Sequence, residues 1–150
     1  MSEQRIHRAL ALHFMLQLSL VEDAEQRLAS RGMGRVHHRI LYVAQRCPGI
    51  TVSELLSVLN VRHQNIQGIL RELRDEGYIL ARQDPTDART KRLYTSRKGG
   101  KLLQFVSADQ YERIERACER VTSRDVEGYF KVMAAMLAPE RREWAERLST

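Results

Sequence analysis

No stretch of the chain restricts its fold as tightly as residues 51–96, TVSELLSVLNVRHQNIQGILRELRDEGYILARQDPTDARTKRLYTS. Thr51-Val52-Ser53-Glu54 is a capping box, in which the Thr hydroxyl takes one orphan helix amide and Glu54 reaches back for another. The helix it opens runs to about residue 58. Leu59-Asn60-Val61 is a turn, and Asn60 is among the few non-glycine residues that tolerate the left-handed conformation tight turns need. A second helix over 62–76 carries Ile66, Ile69, Leu70 and Leu73 as its apolar stripe, and Gly77 closes it. Residues 78–82 and 91–95 then read as two strands around the turn residues of Asp84-Pro85-Thr86-Asp87-Ala88-Arg89-Thr90. Two short helices at a tight turn, followed by a basic hairpin, make a shape that holds duplex DNA.

The flanks read as helices. Residues 5–29 place Ile6, Leu10, Phe14, Leu20 or Val21, Ala24 and Leu28 at helical spacing. Leu12, Leu16 and Leu18 widen the apolar surface to more than one face, which predicts burial against the core or a partner subunit. Gly32 and Gly34 break that helix. A second over 35–46 carries Val36, Ile40, Val43 and Ala44, and stops at Cys47-Pro48-Gly49. Ser96 caps a long helix from 97 to about 120, with Leu102, Phe105 or Val106, Ile114, Ala117 and Val121 on its apolar side. A segment over about 125–137 bears Val126, Tyr129, Phe130, Met133, Met136 and Leu137. Beyond Pro139, residues 140–148 form a short helix bearing Trp144. The whole of 1–150 thus reads as one mainly helical domain with a small two-stranded antiparallel wing.

Charge is concentrated on the hairpin side. Of a formal net charge of +6, residues 62–101 supply +5, from ten Lys/Arg against five Asp/Glu. That is the footprint of a phosphate-facing surface. Arg outnumbers Lys heavily, which fits bidentate reading of guanine and phosphate and equally fits a GC-rich genome. Cys47 and Cys118 fit no metal or redox-pair spacing, as expected of a reducing compartment. The run Ala9 to Val21 is interrupted by His13, Gln17 and Ser19 and is too short to span a bilayer, so neither a membrane anchor nor a signal peptide is expected. No Gly-rich phosphate loop, zinc spacing or nucleophile–base constellation is present, and neither enzyme chemistry nor a cofactor is expected.

On the 62–76 helix the face opposite the apolar stripe offers Arg62, Gln64, Asn65, Gln67 and Arg71. Amides and guanidiniums match base edges in the major groove, and four of the five lie in the first two turns. The bland alternative is a solvated polar face. On the hairpin, Asp87 stands two residues before Arg89, where it can hold that Arg and its loop in one pose for a narrow minor groove. Lys91 and Arg92 behind them complete the candidate DNA-binding residues of the hairpin.

The order of helices, the spacing DPTDART-KRLYTS-RKG and the preceding ELRDEGYI resemble the MarR-type family of winged helix-turn-helix transcriptional regulators. The resemblance spans nearly the whole chain and is strongest over 48–99. It implies a homodimer built from the helices of 1–30 and 97–150, and a DNA-binding lobe over 35–96. One recognition helix would enter a major groove and one wing a minor groove. Asp87 and Arg89 match the family's wing signature, and Gln64, Asn65 and Gln67 stand where members contact bases. Gly68 departs from the pattern, standing where many members have Arg, as does Thr95 in place of a common Leu. Arg62 replaces the usual Ser or Thr cap.

The resemblance also implies a small aromatic or anionic effector between the dimerisation helices and the lobe, with His13, Gln17, His38 and Tyr42 as pocket candidates. His37-His38 is not a metal pair, since adjacent helical residues point about 100° apart. Cys47, beside Arg46 at a helix end, is a redox candidate set against an inert buried Cys. The expected function is a sequence-specific, homodimeric repressor on a pseudo-palindromic operator, acting in a bacterial or archaeal cytoplasm at the nucleoid. The competing reading is a non-specific architectural or protein-interaction module with no effector.

Overall fold

The computed structural model describes residues 2–150, His63 by its backbone only. The chain runs α1 (Glu3–Ala29), α2 (Arg35–Arg46), β1 (Ile50–Thr51), α3 (Val52–Leu59), α4 (His63–Asp75), β2 (Ile79–Gln83), β3 (Lys91–Thr95), α5 (Arg97–Cys118), α6 (Ser123–Met136) and α7 (Pro139–Ser149). Its local signals act as read. Thr51 Oγ1 accepts the Glu54 amide at 3.2 Å while the Glu54 carboxylate accepts the Thr51 amide at 2.9 Å. Asn60 takes the left-handed conformation at φ 51°, and Gly77 does so after α4 at φ 72°. Ser96 Oγ accepts the Gly99 amide and donates to the Gly77 carbonyl, which ties the start of α5 to the end of α4.

The hairpin of β2 and β3 is in the predicted place, and a third strand that the sequence reading missed completes the sheet. β1 pairs antiparallel with β3, Ile50 opposite Leu93, giving the order β1-β3-β2. Gly49 makes this pairing possible. It turns the chain at φ 83°, donates its amide to the Leu93 carbonyl at 2.8 Å, and would bring a Cβ to 3.1 Å from the Tyr94 hydroxyl.

A single core joins the lobe. Ile40, Leu41, Val43 and Ala44 of α2 meet Leu55 of α3, Ile66, Leu70 and Leu73 of α4, Ile50, Ile79 and Leu93 of the sheet, and Leu102, Leu103 and Val106 of α5. Only Ala24 and Leu28 of α1 are buried, so that helix joins the core by its C-terminal end. Two forked ion pairs fasten it to α5. Arg27 donates Nε and Nη2 to Asp109, and Arg113 donates Nε and Nη2 to Asp23. The rest of α1 presents Leu10, Leu12, Phe14 and Met15 to solvent, and α6 buries nothing. α7 folds back on the lobe. Trp144 and Leu148 pack against the core, and Arg46 donates to the Leu148 carbonyl at 2.8 Å.

Two helical glycines divide by what surrounds them. A Cβ on Gly68 meets nothing within 4 Å, so Gly68→Ala stabilises the protein by about 1 kcal/mol through helix propensity. A Cβ on Gly99 would lie 2.2 Å from the Tyr78 carbonyl oxygen, so Gly99→Ala destabilises by about 3 kcal/mol or more. Urea melts of the two variants against the parent check both signs.

Candidate nucleic-acid interface

α4 has two chemically distinct sides. Ile66, Leu70 and Leu73 are buried, while Arg62, Gln64, Asn65, Gln67 and Arg71 are all exposed on the rest of its surface. Arg62 sits at the N-cap and makes no side-chain cap, and no acidic residue occupies the first turn. The opening amides of α4 and a guanidinium therefore face outward together, a combination that favours an anion. The buried stripe is what points the amides outward, because the helical period puts residues 64, 67 and 71 opposite 66, 70 and 73.

The hairpin is braced from beneath. Asp84 is buried at 7% exposure, and its Oδ1 accepts the Thr86 hydroxyl, the Thr86 amide and the Asp87 amide at 2.7, 2.8 and 3.2 Å. Its Oδ2 takes Arg92 Nε at 2.5 Å, and Arg92 Nη1 reaches the Gly49 carbonyl at 3.0 Å. Asp84 thus joins the turn, β3 and the approach to β1. The Thr86 bonds hold its carboxyl far below the ordinary carboxylate range, with help from Arg92 and against the cost of burial. Asp84 was not singled out in the sequence. Its only signal there was an Asp before Pro in a turn.

Asp87 and Arg89 are both exposed at the tip, but the link between them differs from the expected one. Asp87 Oδ1 accepts the Arg89 backbone amide at 2.9 Å, and Oδ2 accepts the Thr90 hydroxyl at 2.7 Å. The carboxylate fixes the loop and leaves the Arg89 guanidinium to project from it. Among the described residues, none of the ion pairs engages Arg62, Arg71, Arg89 or Lys91. Arg92 is different. Counted with Lys91 among the candidate DNA contacts, it is held by Asp84 and Gly49 and braces the hairpin. Arg82, also overlooked, is exposed on β2 with its guanidinium 5.2 Å above the Tyr94 ring.

The sequence profile of the MarR family matches residues 31–90, the segment that carries this helix pair and wing. The HTH-type transcriptional regulator PetP of Rhodobacter capsulatus is 29% identical over 148 residues, covering 99% of this chain and 89% of PetP. Over that segment the chain matches the MarR family, and along nearly its whole length it is similar to a transcriptional regulator. A crystal structure of a MarR family transcription regulator superposes with a TM-score of 0.73 at 24% identity, over 89% of this chain and 88% of the other. Streptococcus pneumoniae FabT, solved in complex with DNA, superposes at 0.68 with 19% identity, over 90% and 94%. Both share the MarR-type fold described above.

A second concave region lies where α1, α2, α5 and α6 meet. His13, Gln17 and His38 line a cleft of about 460 Å³, together with Leu16, Leu20, Val21, Arg35, Arg39, Tyr129 and Met133 among others. The fourth pocket candidate, Tyr42, is half-buried and is not part of this lining. Burial, then the neighbouring Arg39, push His38 below its ordinary pKa, so the ring is neutral at pH 7, with Nε2 3.0 Å from Ser107 Oγ. Apolar walls beside Arg39 suit a small organic anion, while Arg35 is paired through Nε with Glu25 at 2.9 Å. Cys47 is buried under α7, its thiol 3.9 Å from the Arg147 carbonyl. No group of three or more metal-ligating side chains occurs among the described residues, and none of their helices is long and apolar enough to cross a membrane.

Because the Asp84 carboxyl is depressed in the fold, its contribution is complete above the ordinary value of 3.8 and fades as pH falls below it. Asp84→Asn is therefore less stable than the parent at pH 7, and the gap narrows below about pH 4. Paired urea melts at pH 7 and pH 3 measure it, and a constant gap would mean that the charge is not what braces the turn.

Proposed function

We propose that the protein is a homodimeric repressor that binds a pseudo-palindromic operator. α4 lies in the major groove, where Gln64, Asn65, Gln67 and Arg71 reach base edges and Arg62 meets the backbone. The wing lies in the flanking minor groove with Arg89 at its tip, Asp87 fixing the loop, and Lys91 and Arg92 behind. The observation that carries this reading is the division of labour in the lobe. The carboxylates of the wing are consumed inside the hairpin, while the amides of α4 and the Arg89 guanidinium stay on the surface. The protein acts at the chromosome, in the cytoplasm, and repression needs only that the bound dimer obstruct a promoter.

Exposed apolar area supports the dimer. Leu10, Leu12, Phe14 and Met15 of α1 and Tyr129, Phe130, Val132 and Met136 of α6 are each more than 40% exposed, a large apolar surface for a lone chain. A second copy offering the same helices covers it with two-fold symmetry and sets two copies of α4 at a fixed spacing. Residues 1–30 and 97–150 supply this arm and 35–96 the lobe, with α7 returning to brace the lobe from the arm's end. The cleft takes a small aromatic carboxylate or similar anion, which releases DNA by favouring a dimer with misplaced recognition helices.

Two tests separate the parts of this reading. Selection from a random duplex library at about 150 mM salt yields paired half-sites one helical turn apart; binding that merely fades with salt, without enrichment, indicates a non-specific module. On the selected duplex, Arg89→Ala weakens binding to all sequences and lowers the salt slope by roughly 0.9 per lost phosphate contact, whereas Gln67→Ala relaxes preference at one base position. Leu10→Glu, in the exposed stripe of α1, makes the chain monomeric in sedimentation and removes high-affinity binding with it. A Leu10→Glu chain that stays dimeric would place the interface elsewhere.

A further inference from the structure

The two adjacent histidines of α2 point to different parts of the molecule. His37 is buried, and both its ring nitrogens are used. Gly34 N–H donates to Nδ1 at 3.1 Å, so the ring hydrogen sits on Nε2 and is donated to Glu72 Oε2 of α4 at 3.2 Å. His38, the next residue, turns to Ser107 of α5 and to the cleft. One turn of helix therefore touches the recognition helix on one side and the cleft on the other.

Glu72 is the reason this contact matters. It follows Arg71 on α4 and is half exposed, so a free carboxylate there would stand among the groups offered to DNA. The imidazole draws it toward α2, away from phosphate, and fixes the roll of α4 about its own axis. The apolar contacts of Ile66, Leu70 and Leu73 resist separation of α4 from the core more than rotation against it. A directional bond at the end of a buried ring supplies the constraint they lack.

We propose that His37 is a positioning residue for DNA recognition. It holds α4 in register through Glu72, and the shared helical turn lets the His38–Ser107 side of the cleft bear on α4. The inference rests on the reading of α4 as the helix that reads bases. A ligand that draws His38 from Ser107 moves the turn, and the His37–Glu72 bond carries that movement to the recognition helix.

Three variants test it, each measured by hydrogen exchange of the α4 amides and by affinity for a selected and a random duplex. His37→Asn keeps an acceptor for Gly34 N–H but cannot reach Glu72. It raises α4 exchange and weakens the selected duplex roughly fivefold, as loss of one hydrogen bond of about 1 kcal/mol does, while binding to random duplex changes little. Glu72→Gln keeps the acceptor oxygen and retains parental specificity. Ser107→Ala raises α4 exchange in the parent and adds nothing in the His37→Asn background.

Equal loss on both duplexes would reduce His37 to a stability role. Unchanged exchange in His37→Asn would overturn the positioning role, and additive effects of Ser107→Ala would remove the link to the cleft. Should the parent itself enrich no duplex, the reading of α4 fails, while the exchange data still decide whether His37 fixes that helix.

Discussion

Burial of α2 is the constraint on which the other elements depend. Its twelve residues place Ile40, Leu41, Val43 and Ala44 in the core, and the helix touches α1, α3, α4, α5, α7 and β3. A helix packed on all these sides cannot tilt without opening several close-packed contacts together. Its polar groups leave from the ends of the buried segment. His37 goes to α4, His38 to α5 and Arg46 to α7. The parts assigned to DNA, to the dimer arm and to the C-terminal brace are thus all referred to one rigid element. That arrangement lets a small change at one of them reach another through a short path.

The wing meets a different requirement. An arginine at the tip of a flexible loop loses much of its binding free energy to ordering. Here the two carboxylates of the turn have already done the ordering, because Asp84 and Asp87 together accept three backbone amides and two threonine hydroxyls. Asp84 and Arg92 cancel at the base, which leaves the net charge of the hairpin as the sequence counts it and puts Asp87, Arg89 and Lys91 on its exposed surface. The field offered to a phosphate is therefore the one the sequence suggests, but it is held still.

What could be read from the sequence was what is decided locally. The capping box at Thr51, the left-handed Asn60 and the Ser96 cap depend on residues three or four apart, and each acts as expected. Periodicity likewise marked the apolar residues of α5 and α6, but it does not say what covers them. Leu102 and Val106 are buried within the chain, whereas Ile114 of the same helix is exposed, as is Val121 just beyond its end. The contacts that were not legible join distant segments: Asp84 with Arg92 through the hairpin register, His37 with Glu72 across 35 residues, and α7 with the lobe. β1 is two residues long and carries no pattern of its own. Tyr42 shares a helical face with His38, yet it stands half-buried outside the lining of the cleft.

The cleft lies where two kinds of attachment meet. On one side α1 enters the core only after Val21, and its outer part, with His13 and Gln17, belongs to the exposed apolar arm. On the other, Arg35, His38 and Arg39 stand on α2. The forked pairs Arg27–Asp109 and Arg113–Asp23 fasten α1 to α5 just beyond this junction, and Gln110 adds a bond to the Leu20 carbonyl. In the proposed dimer the arm is shared with a second copy while the lobe is not, so the angle between arm and lobe sets the distance between recognition helices. A molecule bound in the cleft contacts both sides of that angle. It can influence DNA binding only through the difference between its contacts at one angle and at another, however tightly it binds. Groups on the two walls, such as Gln17 and Arg39, can supply that difference, because a change of angle alters the distance between them. Apolar residues on a single wall contribute affinity equally in both states and no control.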